Sequence, residues 1–229
     1  MHHQRPHLFL LATVLLVPGW PAAAQPPRPV RDPHRIFQKE VVSWKELQNQ
    51  NIVMQQRDYS CGAAALATVL RYYWGEDVSE ADVLQTLALS LTPQALENRT
   101  KHGLSMADLK VVAERMGYDA AVGKLDSVDD LAESKVPLVV AIRLDGFDHF
   151  VVYRGIRCGH IFLADPLRGN IRLPTQQFPC LWIANAVLVV APKGKTSSAV
   201  SRLGIRADEV PYSLMNRQVL RRNLMPTHR

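Results

Sequence analysis

At Val136 the hydrophobic period of this chain changes, and that switch constrains its fold more than any other feature. Before it, apolar residues recur at helical spacing. In Cys61–Trp74 (CGAAALATVLRYYW), Ala64, Leu66, Val69, Leu70 and Tyr73 share one face, and Gly75 is placed to end the helix. Ser79-Glu80-Ala81-Asp82 has the spacing of a capping box and predicts a second helix. Ser105 opens a third, running through Leu109 and Val112 to Met116 before Gly117. Shorter helices are expected over Asp126–Ser134 and Trp44–Gln48. After Val136 the chain turns β-branched and apolar in short runs: 136–144, 149–156, 160–165, 169–173 and 183–191, with turns marked by Gly146, Gly155, Gly159 and Gly169. Helices first and antiparallel strands afterwards predict one α+β domain, N-terminal helices packed on a C-terminal sheet, over residues 37–192. There is no internal repeat.

The flanks read differently. Leu8–Trp20 is a 13-residue apolar run broken by Pro18 and Gly19 and followed by Ala22-Ala23-Ala24. Thirteen helical residues reach about 20 Å, short of a hydrocarbon core of roughly 30 Å. The layout is that of a signal peptide over residues 1–24, cleaved after Ala24, with no transmembrane segment left afterwards and a periplasmic or secreted product. Residues 25–36 are Pro- and Arg-rich and read as an extended linker. The formal charge is +6, but residues 193–229 hold eight Lys and Arg against Asp208 and Glu209, leaving residues 25–192 at −1. A nearly neutral body does not support nucleic-acid binding. The basic stretch 193–229 reads as a solvated tail, with a late helix around Leu214–Arg222 as the other possibility.

An exported chain with three cysteines, Cys61, Cys158 and Cys180, leaves at least one unpaired. Cys158 and Cys180 share the strand-rich half and could pair. Cys61 opens a helix, where the positive end of the dipole and unpaired N–H groups favour a thiolate. Gln55 lies six residues upstream, in reach as an oxyanion donor beside the first N–H groups of that helix. His149 begins a strand, and Asp165 ends the next one. In a hairpin the end of the second strand lies near the start of the first, so Asp165 can bond one ring nitrogen of His149 and leave the other for Cys61. Taken singly, each has a plainer explanation: a buried structural Cys, a surface Gln beside Gln56, a packing His, a turn-forming Asp before Pro166. A zinc site from Cys158, His160, His149 and Cys180 is a further reading, without the paired CxxC spacing zinc sites usually show.

The ordered set Gln55-(x5)-Cys61-Gly62-Ala63-Ala64, Asp148-His149-Phe150-Val151-Val152 and Ala164-Asp165-Pro166 resembles the C39 group of papain-like cysteine peptidases, which process double-glycine leader peptides, over about residues 50–192. The resemblance implies a papain-like fold, with Cys61 as nucleophile, His149 as general base and acid, Asp165 as orienter and Gln55 as oxyanion donor. It implies a peptide or protein substrate cut after small residues, often Gly-Gly, and neither cofactor nor metal. Small stand-alone exported relatives accompany secretion and functional-amyloid (Fap-type) operons, and this chain resembles them in size and layout, which implies secretion or amyloid-assembly machinery as partners. The chain departs from the pattern at Ser60, where Asp is frequent, and at Ala64, where a second Cys is common. A non-catalytic peptide-binding or chaperone module on the same fold is the alternative, and thiol transferases share the same triad.

Overall fold

Apolar residues at successive strand positions, such as Val139-Val140, Val151-Val152 and Phe162-Leu163, imply a sheet covered on both faces. The computed structural model, which describes residues 30–32, 35–37, 42–194 and 201–210, has that arrangement. The chain divides into two units, Met1–Val42 and Ser43–Arg229. In the first, the described residues form a two-stranded antiparallel ladder, β1 (Val30–Asp32) with β2 (Arg35–Phe37), inside and just beyond the stretch read as a linker. The signal-peptide reading and the late helix at 214–222 lie outside the described residues.

In the second unit, helices α1 (Trp44–Gln48), α2 (Cys61–Tyr72), α3 (Glu80–Ala88), α4 (Pro93–His102), α5 (Met106–Arg115) and α6 (Val128–Ala132) precede most of the sheet. The strands are β3 (Tyr118–Lys124), β4 (Leu138–Leu144), β5 (Phe147–Arg157), β6 (His160–Asp165), β7 (Gly169–Pro174) and β8 (Trp182–Pro192), with a short helix α7 (Phe178–Leu181) before the last. They form one six-stranded antiparallel sheet in the order β3-β8-β4-β5-β6-β7. The predicted helices and strands thus stand close to their expected limits, and α+β is the fold. Sequence reading passed over α4, β3 and α7.

The two faces of the sheet bury alternate residues in two cores. Val139, Val152, Ala164 and Leu188 pack with Ala63, Leu66, Leu70, Leu109 and Val112 of α2 and α5. Val140, Val151, Leu163 and Trp182 pack with Leu131 and Phe178 on the other side. Helix α2 is fully enclosed from Gly62 to Leu70. Its small first turn lets it lie close against the sheet: a Cβ at Gly62 would stand 3.1 Å from Phe150 and 3.2 Å from Leu109. This contact sets the head of α2 against the strand that carries His149.

The folded unit extends past the boundary expected at residue 192. Leu203 is buried in the first core, Arg202 N donates to Tyr72 O, and Arg154 on β5 binds this segment through Leu203 O, Gly204 O and Glu209. At least residues 201–210 are therefore not a solvated tail. They lack an apolar period because side-chain pairing and main-chain acceptors, rather than an amphipathic face, hold them.

Candidate active site

The register of two hairpins brings the candidate residues together. Val152 lies opposite Ala164 across β5 and β6, so one step along, Asp165 is diagonal to His149 on the same face, within reach of a side-chain contact. His149 Nε2 and Asp165 Oδ1 are 2.6 Å apart, and both residues are buried. Cys61 is the first residue of α2, half-buried, and within hydrogen-bonding reach of the same ring. With Nε2 on Asp165, Nδ1 is the nitrogen left for sulfur.

The electrostatics of this chain of three are consistent. Burial of the His149 ring works against its charged form, but hydrogen bonds to Asp165 and Cys61 and their negative charge outweigh it, and its pKa is pushed up to about 9. Burial alone would raise Asp165. The imidazole and the backbone N–H groups of Leu167 (2.7 Å) and Arg168 (3.1 Å), all on Oδ1, instead hold this carboxyl below its usual range. Asp148, just before His149, is held ionised by a two-point pairing with Arg143 at the exposed end of the β4–β5 hairpin.

Gln55 stands on a turn locked from within. Arg57 O accepts from Gln55 Nε2 (3.1 Å), Ser60 N (3.2 Å) and Ser60 Oγ (2.7 Å). Gln55 N donates to Pro166 O at 2.9 Å, which ties this turn to the residue after Asp165. A primary amide has two N–H donors, so one remains beyond the bond to Arg57. Ser60, the departure noted in the sequence, is fully buried and spends its hydroxyl on that turn. As a result α2 has no side-chain cap, whereas Ser43, Ser79, Thr92, Ser105 and Ser127 each cap their own helix. The first N–H groups of α2 are thereby left without a side-chain acceptor from the cap residue.

A cleft of about 480 Å³ opens beside Cys61 and His149, with Asp58 and Tyr59 on one side, Thr100 to Leu104 from the end of α4 on another, and Ala141, Phe150 and Ile183 from the sheet. A bulge in β8 presents Ile183: Val140 pairs with Val187 but Ile142 with Trp182, and Ala184 and Asn185 are both left-handed. Sequence reading missed the α4 wall, although Thr92-Pro93 and Gly103 mark its ends with a cap, a first-turn proline and a stop.

The remaining cysteines stand apart from these contacts. Cys158 and Cys180 are exposed free thiols. His160 Nδ1 lies 2.9 Å from Cys158 O, and His149 is taken up by Asp165. Among the described residues no group of three His, Cys, Asp or Glu gathers to hold a metal ion, nor is any helix long and apolar enough to cross a membrane.

Comparison with known proteins gives four findings. Residues 49–195 match the model of the peptidase C39 family. The chain is 35% identical over 144 residues to a Pseudomonas fluorescens protein named "Probable functional amyloid protease FapD", the match spanning 63% of this chain and 62% of that one. It is 31% identical over 174 residues to the Pseudomonas aeruginosa protein of the same name, spanning 76% and 75%. Among solved structures, a double glycine motif protease from an AMS/PCAT transporter, in complex with its leader peptide, superposes with a TM-score of 0.51 at 23% identity, over 62% of this chain and 90% of that one.

Proposed function

The chain belongs to the peptidase C39 family, and from that premise we propose that it is a cysteine endopeptidase acting on exported polypeptides, with Cys61, His149, Asp165 and Gln55 as its working groups. The observation that carries this reading is the meeting of Cys61, at the head of α2, with the His149 ring on one cleft, that ring bonded at 2.6 Å to the buried Asp165 carboxylate. Cys61 thiolate attacks a peptide carbonyl carbon. The oxyanion that forms is held by the free N–H of Gln55 and a backbone N–H at the head of α2. As the C–N bond breaks, His149 gives its proton to the departing amine and a thioester remains. A water molecule then attacks the thioester, His149 taking its proton, and the acid leaves with Cys61 regenerated.

The relatives' name supports a substrate that is a functional-amyloid component or accompanies one. The family resemblance favours small residues, Gly-Gly among them, before the scissile bond. Export through a cleaved leader at residues 1–24 fits such a substrate, with secretion or assembly machinery as its partners. The direct test compares the N-termini of exported proteins in cells carrying the native chain and a Cys61→Ala variant. New N-termini that follow small residues and vanish in the variant are expected. Identical N-terminal profiles would remove the reading.

The raised pKa of His149 gives a second test. Its folded value, about 9, exceeds the ordinary 6.5, so the ring keeps its proton through neutral pH and loses it as pH rises through about 9. Cleavage is expected to fall by half near pH 9 and tenfold per pH unit beyond. The linked stabilisation runs the same way: it is fully present below 6.5 and is lost as pH climbs through about 9. A rate still rising at pH 10 would contradict the role given to His149.

A further inference from the structure

Asp165 uses one carboxylate oxygen on His149, and what it does with the other points to a residue outside the triad. Oδ2 accepts from Arg168 Nη1 at 3.2 Å. The other arm of that guanidinium, Nη2, donates to Asp145 Oδ2 at 2.9 Å. Asp145 sits at the tight Asp145-Gly146 turn joining β4 to β5, both residues in the left-handed region, and four positions before His149. Arg168 therefore joins the hairpin that carries His149 to the turn that carries Asp165, and its planar fork fixes both at once. Its backbone is held at each end, N on Asp165 Oδ1 at 3.1 Å and O by Gln48 Nε2 at 2.8 Å. Its side chain is 28% exposed and Asp145's is 72% exposed, so the brace closes over the pair from the solvent side.

We infer that Arg168, anchored by Asp145, is a positioning residue that keeps the Asp165 carboxylate aligned on His149 and so keeps Cys61 reactive. The inference rests on the peptidase reading above. Alignment, rather than charge alone, is the effect at issue. The cation is shared between two carboxylates, so its repulsion of an imidazolium is largely cancelled, whereas no other side chain among the described residues bonds Asp165 Oδ2. Without the brace the carboxylate is held through Oδ1 alone, by the ring and the Leu167 and Arg168 N–H groups, and the hairpin turn loses its tether.

The test follows Cys61 alkylation by iodoacetamide at pH 6, by mass spectrometry, in a Cys158→Ser/Cys180→Ser background, and in parallel kcat and KM on a Gly-Gly-containing peptide. Arg168→Met is expected to slow alkylation and lower kcat about tenfold or more, with KM within about twofold, as for residues that orient a working group. Arg168→Lys, which keeps the charge but not the planar fork, should recover only part of the rate, and Asp145→Asn should lose about threefold. The double variant Arg168→Met/Asp145→Asn should be no slower than Arg168→Met alone, because both changes break one brace. A native rate in Arg168→Met, or additive losses in the double variant, overturns the inference. If Arg168→Met fails to fold, Asp145→Asn decides, since its exposed side chain leaves the core untouched, and a native rate there overturns it equally. Slowed alkylation in the variants with no peptide cut by the native chain would uphold the brace and sink the peptidase reading. Cys61 alkylating slowly in the native chain would sink both.

Discussion

Replacing Cys61 with Ala is expected to lower peptide cleavage by a factor on the order of 10⁴ or more while the fold and its melting temperature stay unchanged. The loss is chemical because no other group in the cleft can form the thioester. The fold survives because Cys61 contributes little to either core: it is half-buried at the first position of α2, and Ala suits a helix at least as well. His149→Ala should fall as far, and the double variant Cys61→Ala/His149→Ala no further, since the two act as a unit. Asp165→Asn is the more instructive change. With its oxygen in the Oδ1 place the amide keeps the acceptor shared by His149, Leu167 N and Arg168 N, but its NH₂ then faces the Arg168 guanidinium; turned over, the NH₂ faces the ring and both N–H groups instead. A loss on the order of 10²–10⁴ is expected, without loss of the buried turn. Gln55→Ala removes one of the two oxyanion donors proposed above and should cost about 10²–10³ in kcat. Measured with one peptide and one pH, the series is steeply graded. Cleavage by Cys61→Ala at the native rate would place the chemistry elsewhere; a native chain that binds the peptide but never cuts it would make this a binding module.

Much of this site was legible in the sequence because its parts have local causes. A Cys opening a run of small residues marks the head of a helix that must pack closely, and Gly62 against Phe150 shows why. His149 and Asp165 were legible only as the start and the end of neighbouring strands: the turn sets Arg157 opposite His160, but a bulge between Tyr153 and Gly155 shifts the register by one and so puts Asp165 on the face of His149. The Ser-x-x-Asp box at Ser79 announced one helix, and the structure has the same box at Ser105 and Ser127. What escaped lacked a period. No residue of α4 is buried, so its interior shows no apolar stripe, although it forms a wall of the cleft. Strand β3 is an edge strand, exposed from Ala121 onward, and offers little alternation to read. Arg168 looked like any basic turn residue, because its meaning lies in two carboxylates 3 and 23 positions away. Ser60 was visible as a departure, but its reason, a hydroxyl spent on the Gln55 turn, is tertiary.

Removing the Arg154 side chain is expected to destabilise the domain by about 3–5 kcal/mol, the usual result when one partner of a buried ion pair is lost. Arg154 is 2% exposed and Glu209 9%. The guanidinium donates to Leu203 O and Gly204 O at 2.8 Å, to Glu209 Oε1 at 2.7 Å and Oε2 at 2.9 Å, and to Asn170 Oδ1. Burial would raise the Glu209 carboxyl, and Arg154 with the Arg206 backbone instead holds it below its usual range. Arg154→Met thus strands a buried carboxylate with Arg206 as its remaining cation and leaves two carbonyls without their donors. The damage spreads, because Asn170 also donates to Gln48 O and Gln50 O, just ahead of the Gln55 turn. A fall of about 6–20 °C in melting temperature is expected for a domain of this size. Arg154→Met/Glu209→Leu should recover part of it, since no charge is then left buried without its counterion. The sign with pH also follows. Glu209 titrates below its ordinary 4.5 in the folded chain, so its contribution is present above that value and is lost as pH falls through the folded one. The gap between the native chain and Arg154→Met should therefore narrow in acid. A melting temperature within 2 °C of native for Arg154→Met would mean that residues 201–210 rest on the sheet without holding it, and that the domain is complete near Pro192 after all.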